Sequence, residues 1–478
     1  MNDTRRDDRA KLPAHLVGDG MLVPCFDGIE RPYIALDAAA STAALPGVVE
    51  RVADFLPWYS SIHRGAGYKS RVASAAYDDA RAAALAFAGR SGRHDVAIIC
   101  RNTTEAINHL AYRLRLDPTD VVLTTVVEHH ANLLPWGRVA QRRYIECHPD
   151  GRFSVDEVRA ELDKTPRPKL LTITGASNVT GWLPPVDEII ALAHDGGVPV
   201  LVDAAQLAAH RPLPLDADYV VWSGHKMYAP FGAGILLGPA ATFADGDPFL
   251  AGGGAIDLVD LEDVVWTTPP EREEAGSPNV IGAVALHAAM STLSTIGWPA
   301  IAAHETGLAR QLREGLDRIG GVTLLGPGLD VPTLAVASFV VDGVPHALVA
   351  ARLSAEFAIG VRHGCFCAHP YILRLLGISS VEVARYWEAV QHGDRSNVPG
   401  AVRASASLAT SPDEIDALLA AVAAIASGGQ PPVRYLQDHP SGDYWTEHDF
   451  ATGAVRGTAL AQSDPVATHR TGPLARSS

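Results

Sequence analysis

Six short apolar runs between residues 95 and 238 constrain this chain more than any other feature. They are Asp95-Val-Ala-Ile-Ile-Cys100, residues 120–127, 169–174, 198–202 and 219–222, and Gly234-Ile-Leu-Leu-Gly238. Each has the length of a strand and is apolar at consecutive positions, the pattern of strands buried on both faces of a mostly parallel sheet. Ligands of such sheets sit beyond the carboxyl ends of the strands. The residues that follow these runs are Asn102-Thr-Thr-Glu105, Glu128-His-His-Ala-Asn132, Gly175-Ala-Ser-Asn178, Asp203-Ala-Ala-Gln206 and Ser223-Gly-His-Lys226. One polar strand end is a turn; five of them predict a single converging site.

Lys226 alone would be read as a solvated surface charge. Placed after a buried strand and beside the turn Pro230-Phe-Gly-Ala-Gly234, it has the setting of a lysine that holds an aldehyde as a Schiff base. Asp203, at the end of the preceding strand, is placed to pair with a protonated pyridine nitrogen. Together they predict pyridoxal 5'-phosphate as cofactor. Ser223 and His225 are candidate phosphate ligands. Thr103 and Thr104 open a helical stretch, where hydroxyls and free amides make an anion site, although a plain helix cap explains the same residues. His129 can stack on the pyridine and move protons, while Asn178 and Gln206 can donate to the cofactor's phenolic oxygen or satisfy loop backbone.

Composition narrows the class. A formal charge of -15 argues against nucleic acid as a partner. The N-terminal residues carry no apolar run, and no stretch reaches the roughly 20 apolar residues of a membrane span, so a soluble cytoplasmic protein is expected. Five cysteines (Cys25, Cys100, Cys147, Cys365, Cys367) without ligand spacing predict reduced thiols and no metal site.

A length of 478 residues calls for at least two packed units. We read residues 1–30 as an arm, 31–297 as a large cofactor-binding domain, 298–426 as a smaller α+β domain and 427–478 as an irregular tail rich in Gly, Pro and Ser. Residues 283–318 read as a connecting helix. A final helix begins at Pro412, with Ser411 as its cap.

Several ordered segments carry a family resemblance. Ala35-Leu-Asp-Ala-Ala-Ala-Ser41, Ser61-Ile-His-Arg-Gly65, Thr103-Thr-Glu-Ala-Ile-Asn108, Glu128-His-His-Ala-Asn132, Ala176-Ser-Asn-Val-Thr-Gly181, Val202-Asp-Ala-Ala-Gln206, Ser223-Gly-His-Lys226, Glu274-Ala-Gly-Ser-Pro-Asn279 and Val402-Arg-Ala-Ser405 resemble, in order and spacing, the class V aminotransferase superfamily. Within it the chain is most similar to SUF-type cysteine desulfurases and selenocysteine lyases.

That resemblance implies the aspartate aminotransferase-like fold, type I of the pyridoxal-phosphate transferases, and a homodimer. It implies Lys226 as the Schiff-base lysine, Asp203 as pyridinium partner, and His129 as the stacking ring. Asn178 and Gln206 fall on the phenolic oxygen, and Thr104, Ser223 and His225 on the phosphate. It assigns Ser277 to the partner subunit's phosphate, and Arg403 to the substrate carboxylate, which a guanidinium grips bidentately.

In the segment Val361-Arg-His-Gly-Cys-Phe-Cys-Ala-His-Pro370, Cys367 falls where SUF-type enzymes carry the thiol that takes sulfur from the substrate. Arg362, His363 and His369 flank it with the positive surroundings a thiolate needs. Cys365 stands where that pattern has histidine, and Cys-Phe-Cys resembles the loop of molybdenum-cofactor-sulfurase-like relatives, so either cysteine is a candidate sulfur acceptor. An insertion of about residues 379–399 separates this loop from Arg403.

The expected function is desulfuration of L-cysteine to L-alanine, with an enzyme persulfide passed to an acceptor protein or a small-molecule pathway. The alternatives are another reaction of the superfamily (selenocysteine lyase, C-S lyase, epimerase or aminotransferase) and a catalytically silent scaffold.

Overall fold

The computed structural model describes residues 13–62 and 65–452. Most of the N-terminal arm's first half, His63 and Arg64 of the Ser61–Gly65 motif, and tail residues 453–478 lie outside the described residues.

Seven strands form the main sheet: β1 (Asp95–Cys100), β2 (Val121–Thr125), β3 (Gln141–Ile145), β4 (Leu170–Thr174), β5 (Val200–Asp203), β6 (Tyr219–Ser223) and β7 (Gly234–Pro239). Their spatial order is β1-β7-β6-β5-β4-β2-β3. The run from β3 to β6 pairs in parallel, and β7 lies antiparallel between β6 and β1. Strands β2, β4, β5 and β6 are buried at every residue, as their unbroken apolar runs require.

β3 has no such run. Its sequence, Gln-Arg-Arg-Tyr-Ile, lies at the sheet edge with only Ile145 buried, so the apolar pattern does not reveal it.

A second, antiparallel sheet contains β8 (Val322–Leu325), β9 (Val336–Val341), β10 (Arg362–Gly364) and β11 (Ala401–Ser405) in the order β8-β9-β11-β10. Helix α1 (Thr103–Arg113) follows β1. The segment read as one connecting helix is two, α2 (Val280–Ile296) and α3 (Trp298–Asp317), meeting at 82°. Gly297 at the joint has φ 84°, and Pro299 in the first turn of α3 lacks the N–H that would continue α2. Among the described residues no single helix is long and apolar enough to cross a membrane.

Two further helices, α4 (His346–Phe357) and α5 (Ser380–Gln391), precede the last long one, α6 (Pro412–Ala426). Ser411 caps α6 in a reciprocal box with Glu414, with Pro412 opening the helix. Its face of Ile415, Leu418, Val422 and Ile425 shares a core with Leu308, Leu312 and Leu316 of α3. Truncating Leu418 to alanine there should cost about 2–5 kcal/mol.

The tail, read as irregular, contains a hairpin of β12 (Tyr435–Gln437) and β13 (Tyr444–Thr446). It docks on the end of the insertion: Gln437 Nε2 donates to the Ser396 carbonyl at 2.9 Å and Arg395 N to that of His439 at 2.9 Å. Asp443 of the hairpin lies 3.3 Å from His363 of β10. The hairpin is thus tied to the strand that leads into the Cys-Phe-Cys loop.

Candidate active site

The carboxyl ends of β2, β4, β5 and β6 and the first turn of α1 surround one cavity of about 300 Å³. Thr103, Thr104, His129, Asn178, Asp203, Gln206, Ser223, His225, Lys226, Cys367 and Arg403 all line it. Ser277 does not; it is exposed outside this chain's own cavity.

Local sequence explains how Lys226 gets there. A Cβ on Gly224 would lie 2.9 Å from the Ala233 carbonyl oxygen and 3.0 Å from that of Ala229, so only glycine lets the chain turn out of β6 against the following loop. Burial pulls the Lys226 amine down to about 8, against the Asp203 carboxylate, which favours its charged form. Asp203 is buried, and burial raises its pKa although Oδ1 accepts from Ala205 N at 2.9 Å.

His129 caps its own turn, with Nδ1 accepting from Ala131 N at 3.0 Å. That bond leaves the proton of the neutral ring on Nε2. Burial, aided by the charge of Lys226, holds the imidazole down to about 3, so it is neutral at physiological pH.

The α1 turn is capped by Asn102, whose side chain accepts from Glu105 N at 3.0 Å. Thr103 N donates to Ser223 Oγ at 2.8 Å, and the two hydroxyls lie 2.7 Å apart, joining the α1 N-terminus to the end of β6.

Glu128 lies beneath this floor and is completely buried. It accepts from Thr125 Oγ1 at 2.8 Å, Thr174 N at 2.9 Å and Asn132 Nδ2 at 2.7 Å, tying the end of β2 to that of β4. Burial outweighs these donors and pushes its carboxyl up to about 8.

The opposite wall comes from β10, β11 and the loop 365–368 that follows β10. Phe366 and Cys367 have φ of 54° and 55°, the left-handed region that costs a side-chain-bearing residue about 1–2 kcal/mol each. Three bonds hold the loop in place: Asn178 Nδ2 to the Phe366 carbonyl at 2.8 Å, His130 N to the Cys367 carbonyl at 2.7 Å, and Ala368 N to the Cys365 carbonyl at 2.9 Å. The turn leaves the Cys367 side chain exposed at the cavity. Cys365 is half-buried against the main core, and burial raises its thiol pKa.

Arg403 lies 4.9 Å from the Phe366 ring centroid and donates through Nη1 to the Asn178 carbonyl at 2.8 Å. Its Nη2 reaches Asp37 Oδ1 at 3.1 Å, while Nε is buried with no partner among the described residues. Burial brings this guanidinium down to about 10, against the pull of Asp37.

Arg362 and Asp37 are wall residues that the sequence reading missed or named only as surroundings. Arg362 sits directly opposite Arg403 in the β10–β11 register and donates to Asp37 Oδ2 at 2.7 and 3.0 Å, so one carboxylate bridges both arginines. Both amides satisfy loop backbone, the alternative left open by the sequence: Asn178 holds the cysteine loop, and Gln206 Nε2 donates to the Ala39 carbonyl at 2.6 Å. The one available signal was Asp37 within the segment Ala35-Leu-Asp-Ala.

A parallel-centred sheet with a lysine, a buried carboxylate and a stacked-ring candidate at its strand ends defines the type I fold of the pyridoxal-phosphate transferases. The chain belongs to the class V aminotransferase family, whose profile matches residues 34–418. It is 35% identical over 401 residues to a probable cysteine desulfurase of Halobacterium salinarum, covering 81% of this chain and 90% of that one. A cysteine desulfurase of Dickeya dadantii is 34% identical over 403 residues, covering 82% and 91%. Among solved structures, the apo cysteine desulfurase of Thermococcus onnurineus NA1 superposes with a TM-score of 0.74 at 30% identity, covering 83% of this chain and 95% of that one. The Escherichia coli cysteine desulfurase CsdA, in an S-sulfonic acid form, gives 0.69 at 30% identity with the same coverage.

Proposed function

We propose that the protein is a pyridoxal 5'-phosphate-dependent cysteine desulfurase that converts L-cysteine to L-alanine and carries the sulfur as a persulfide on Cys367. The observation that carries this reading is the meeting, at one cavity, of Lys226, Asp203 and His129 with an exposed thiol and a buried arginine.

The donor set fits the cofactor. Lys226 would anchor it, Asp203 would face its ring nitrogen, and His129 would cover its ring. Thr103, Thr104, Ser223 and His225 would take the phosphate at the α1 N-terminus, with Ser277 coming from a second copy of the chain. Asn178 and Gln206 retain capacity for its phenolic oxygen. Bound there, the cofactor supplies an electron sink for the substrate's amino-bearing carbon.

Arg403, which lines the cavity, binds the substrate carboxylate. Lys226, with its pKa near neutrality, carries protons to and from substrate carbon. The Cys367 thiolate attacks the substrate sulfur. An S–S bond forms, the carbon–sulfur bond breaks, and the electron pair left on carbon takes a proton to give alanine. Cysteine and one enzyme thiol thus become alanine and one persulfide. Exposure at the cavity favours Cys367 over the half-buried Cys365 as the acceptor.

The test is release of alanine from L-cysteine with and without a thiol reductant to clear the persulfide. Stoichiometric alanine without reductant and continuous turnover with it are expected. No alanine in either case would overturn the reading.

A further inference from the structure

The insertion builds a second cavity, of about 770 Å³, which shares no lining residue with the first. Its lid is α5, capped by a reciprocal Ser379–Glu382 box and contributing no buried residue to the fold. Val383, Tyr386, Trp387 and Val390 follow the three- and four-residue spacing of one helix face, and all line the cavity. A stripe of this kind normally packs on a core. Here Trp387 remains 67% exposed, facing a wall that includes Leu133, Tyr144 and Leu373. The volume lies in the range of small-molecule sites, roughly 300–1,000 Å³, and apolar walls with few polar groups are their usual composition.

The polar groups are unevenly satisfied. Arg374 is matched by Glu146, which it meets at 2.7 Å through Nη2. Arg142 has no carboxylate within ion-pair distance among the described residues; it makes a 3.3 Å bond to the Leu133 carbonyl and lies 5.8 Å from the Tyr144 ring centroid. The rim also carries the neutral amide of Gln391 and an imidazole pair, His130 and His369, stacked at 5.1 Å and drawn toward the neutral form by burial. Arg142 therefore supplies the unmatched positive charge of a largely apolar cavity.

We propose that this cavity binds a small amphiphile, an aromatic or aliphatic body bearing one anionic group, with its apolar part against Tyr386 and Trp387 and its anion on Arg142. The site adjoins the sulfur loop without entering it. His130 both borders the cavity and holds the Cys367 carbonyl, and His369 N donates to His130 Nε2 at 3.1 Å. The assignment does not depend on the chemistry at Lys226.

The test is fluorescence titration of the cofactor-loaded full chain with anilinonaphthalene sulfonate and with its neutral parent, phenylnaphthylamine. One saturable site per chain is expected for each. Trp387→Ala should weaken both by roughly tenfold or more, and Arg142→Gln should weaken the sulfonate by roughly tenfold while leaving the neutral compound within about twofold. Because α5 buries no side chain in the fold, Trp387→Ala should retain the denaturant midpoint of the native chain, which reports folding; Tyr386→Ala serves as a second wall variant. Absence of a saturable site, or undiminished binding in both wall variants, would overturn the proposal. An Arg142→Gln effect that is absent or equal for the two probes would overturn its anionic part.

Discussion

The floor and the wall of the active-site cavity are built by different means. The floor consists of the ends of β2, β4, β5 and β6, parallel strands buried at every residue, so Asp203, Lys226 and His129 are held by backbone packed on both faces. The wall is a pair of cross-strand arginines sharing Asp37 and a loop held in a left-handed turn by three hydrogen bonds. The contrast teaches that the half proposed to hold the cofactor is positioned by the sheet, and the half proposed to take the sulfur by a small, strained, separately tethered segment. Damage to one should therefore be separable from damage to the other.

The largest effect belongs to the floor. Lys226→Ala should lower alanine formation by about 10⁴-fold, the upper end for a proton-transfer group, and should abolish the visible absorbance of the bound cofactor. A variant that keeps both would dissolve the distinction.

A change in the wall should leave that absorbance intact. Arg403→Lys, which loses the planar fork, should raise KM for cysteine roughly thirtyfold, or about 2 kcal/mol for charge-assisted bonds, with a smaller effect on kcat. Loss of cofactor in this variant would show that wall and floor are one unit.

The floor's electrostatics should show in the pH dependence of cofactor capture. With burial holding Lys226 near 8 rather than 10.5, its neutral, nucleophilic form appears as pH rises through about 8. Incorporation of pyridoxal phosphate by stripped protein should accelerate through that range. Acceleration only near 10.5 would contradict the burial of the amine.

A further effect is one of stability. Glu128 has a folded pKa near 8 against an ordinary 4.5, so the folded state holds its proton more tightly. The stability this contributes is complete below about 4.5 and lost as pH rises through about 8. Denaturant unfolding should show the native protein losing stability relative to Glu128→Gln over this interval, and parallel curves would refute it.

The same division governs what could be read from sequence. The floor was legible because two-sided burial writes itself as unbroken apolar runs, and because residues at strand ends in such a sheet must converge. β3 escaped because an edge strand of Gln and Arg has no such signature. The two-helix joint escaped because alanine-rich periodicity runs through Gly297, whose φ of 84° forces the turn.

In the wall, the Cys-Phe-Cys loop and Arg403 were visible as motifs. The Asp37 bridge was not, since it joins residues 325 and 366 positions apart through the register of a sheet. The α5 cap was present as Ser379 and Glu382, and the hairpin at 435–446 was masked by a turn-rich composition.

The central claim is that the wall thiol receives the sulfur while the floor holds the cofactor. Its most direct test is mass mapping of the protein after one turnover of L-cysteine without reductant, in the native chain and in Cys367→Ser and Cys365→Ser. One added sulfur atom is expected on the Cys367 peptide in the native chain and in Cys365→Ser, and none in Cys367→Ser, with cofactor absorbance unchanged in all three. Sulfur on Cys365, or full alanine turnover by Cys367→Ser, would contradict it.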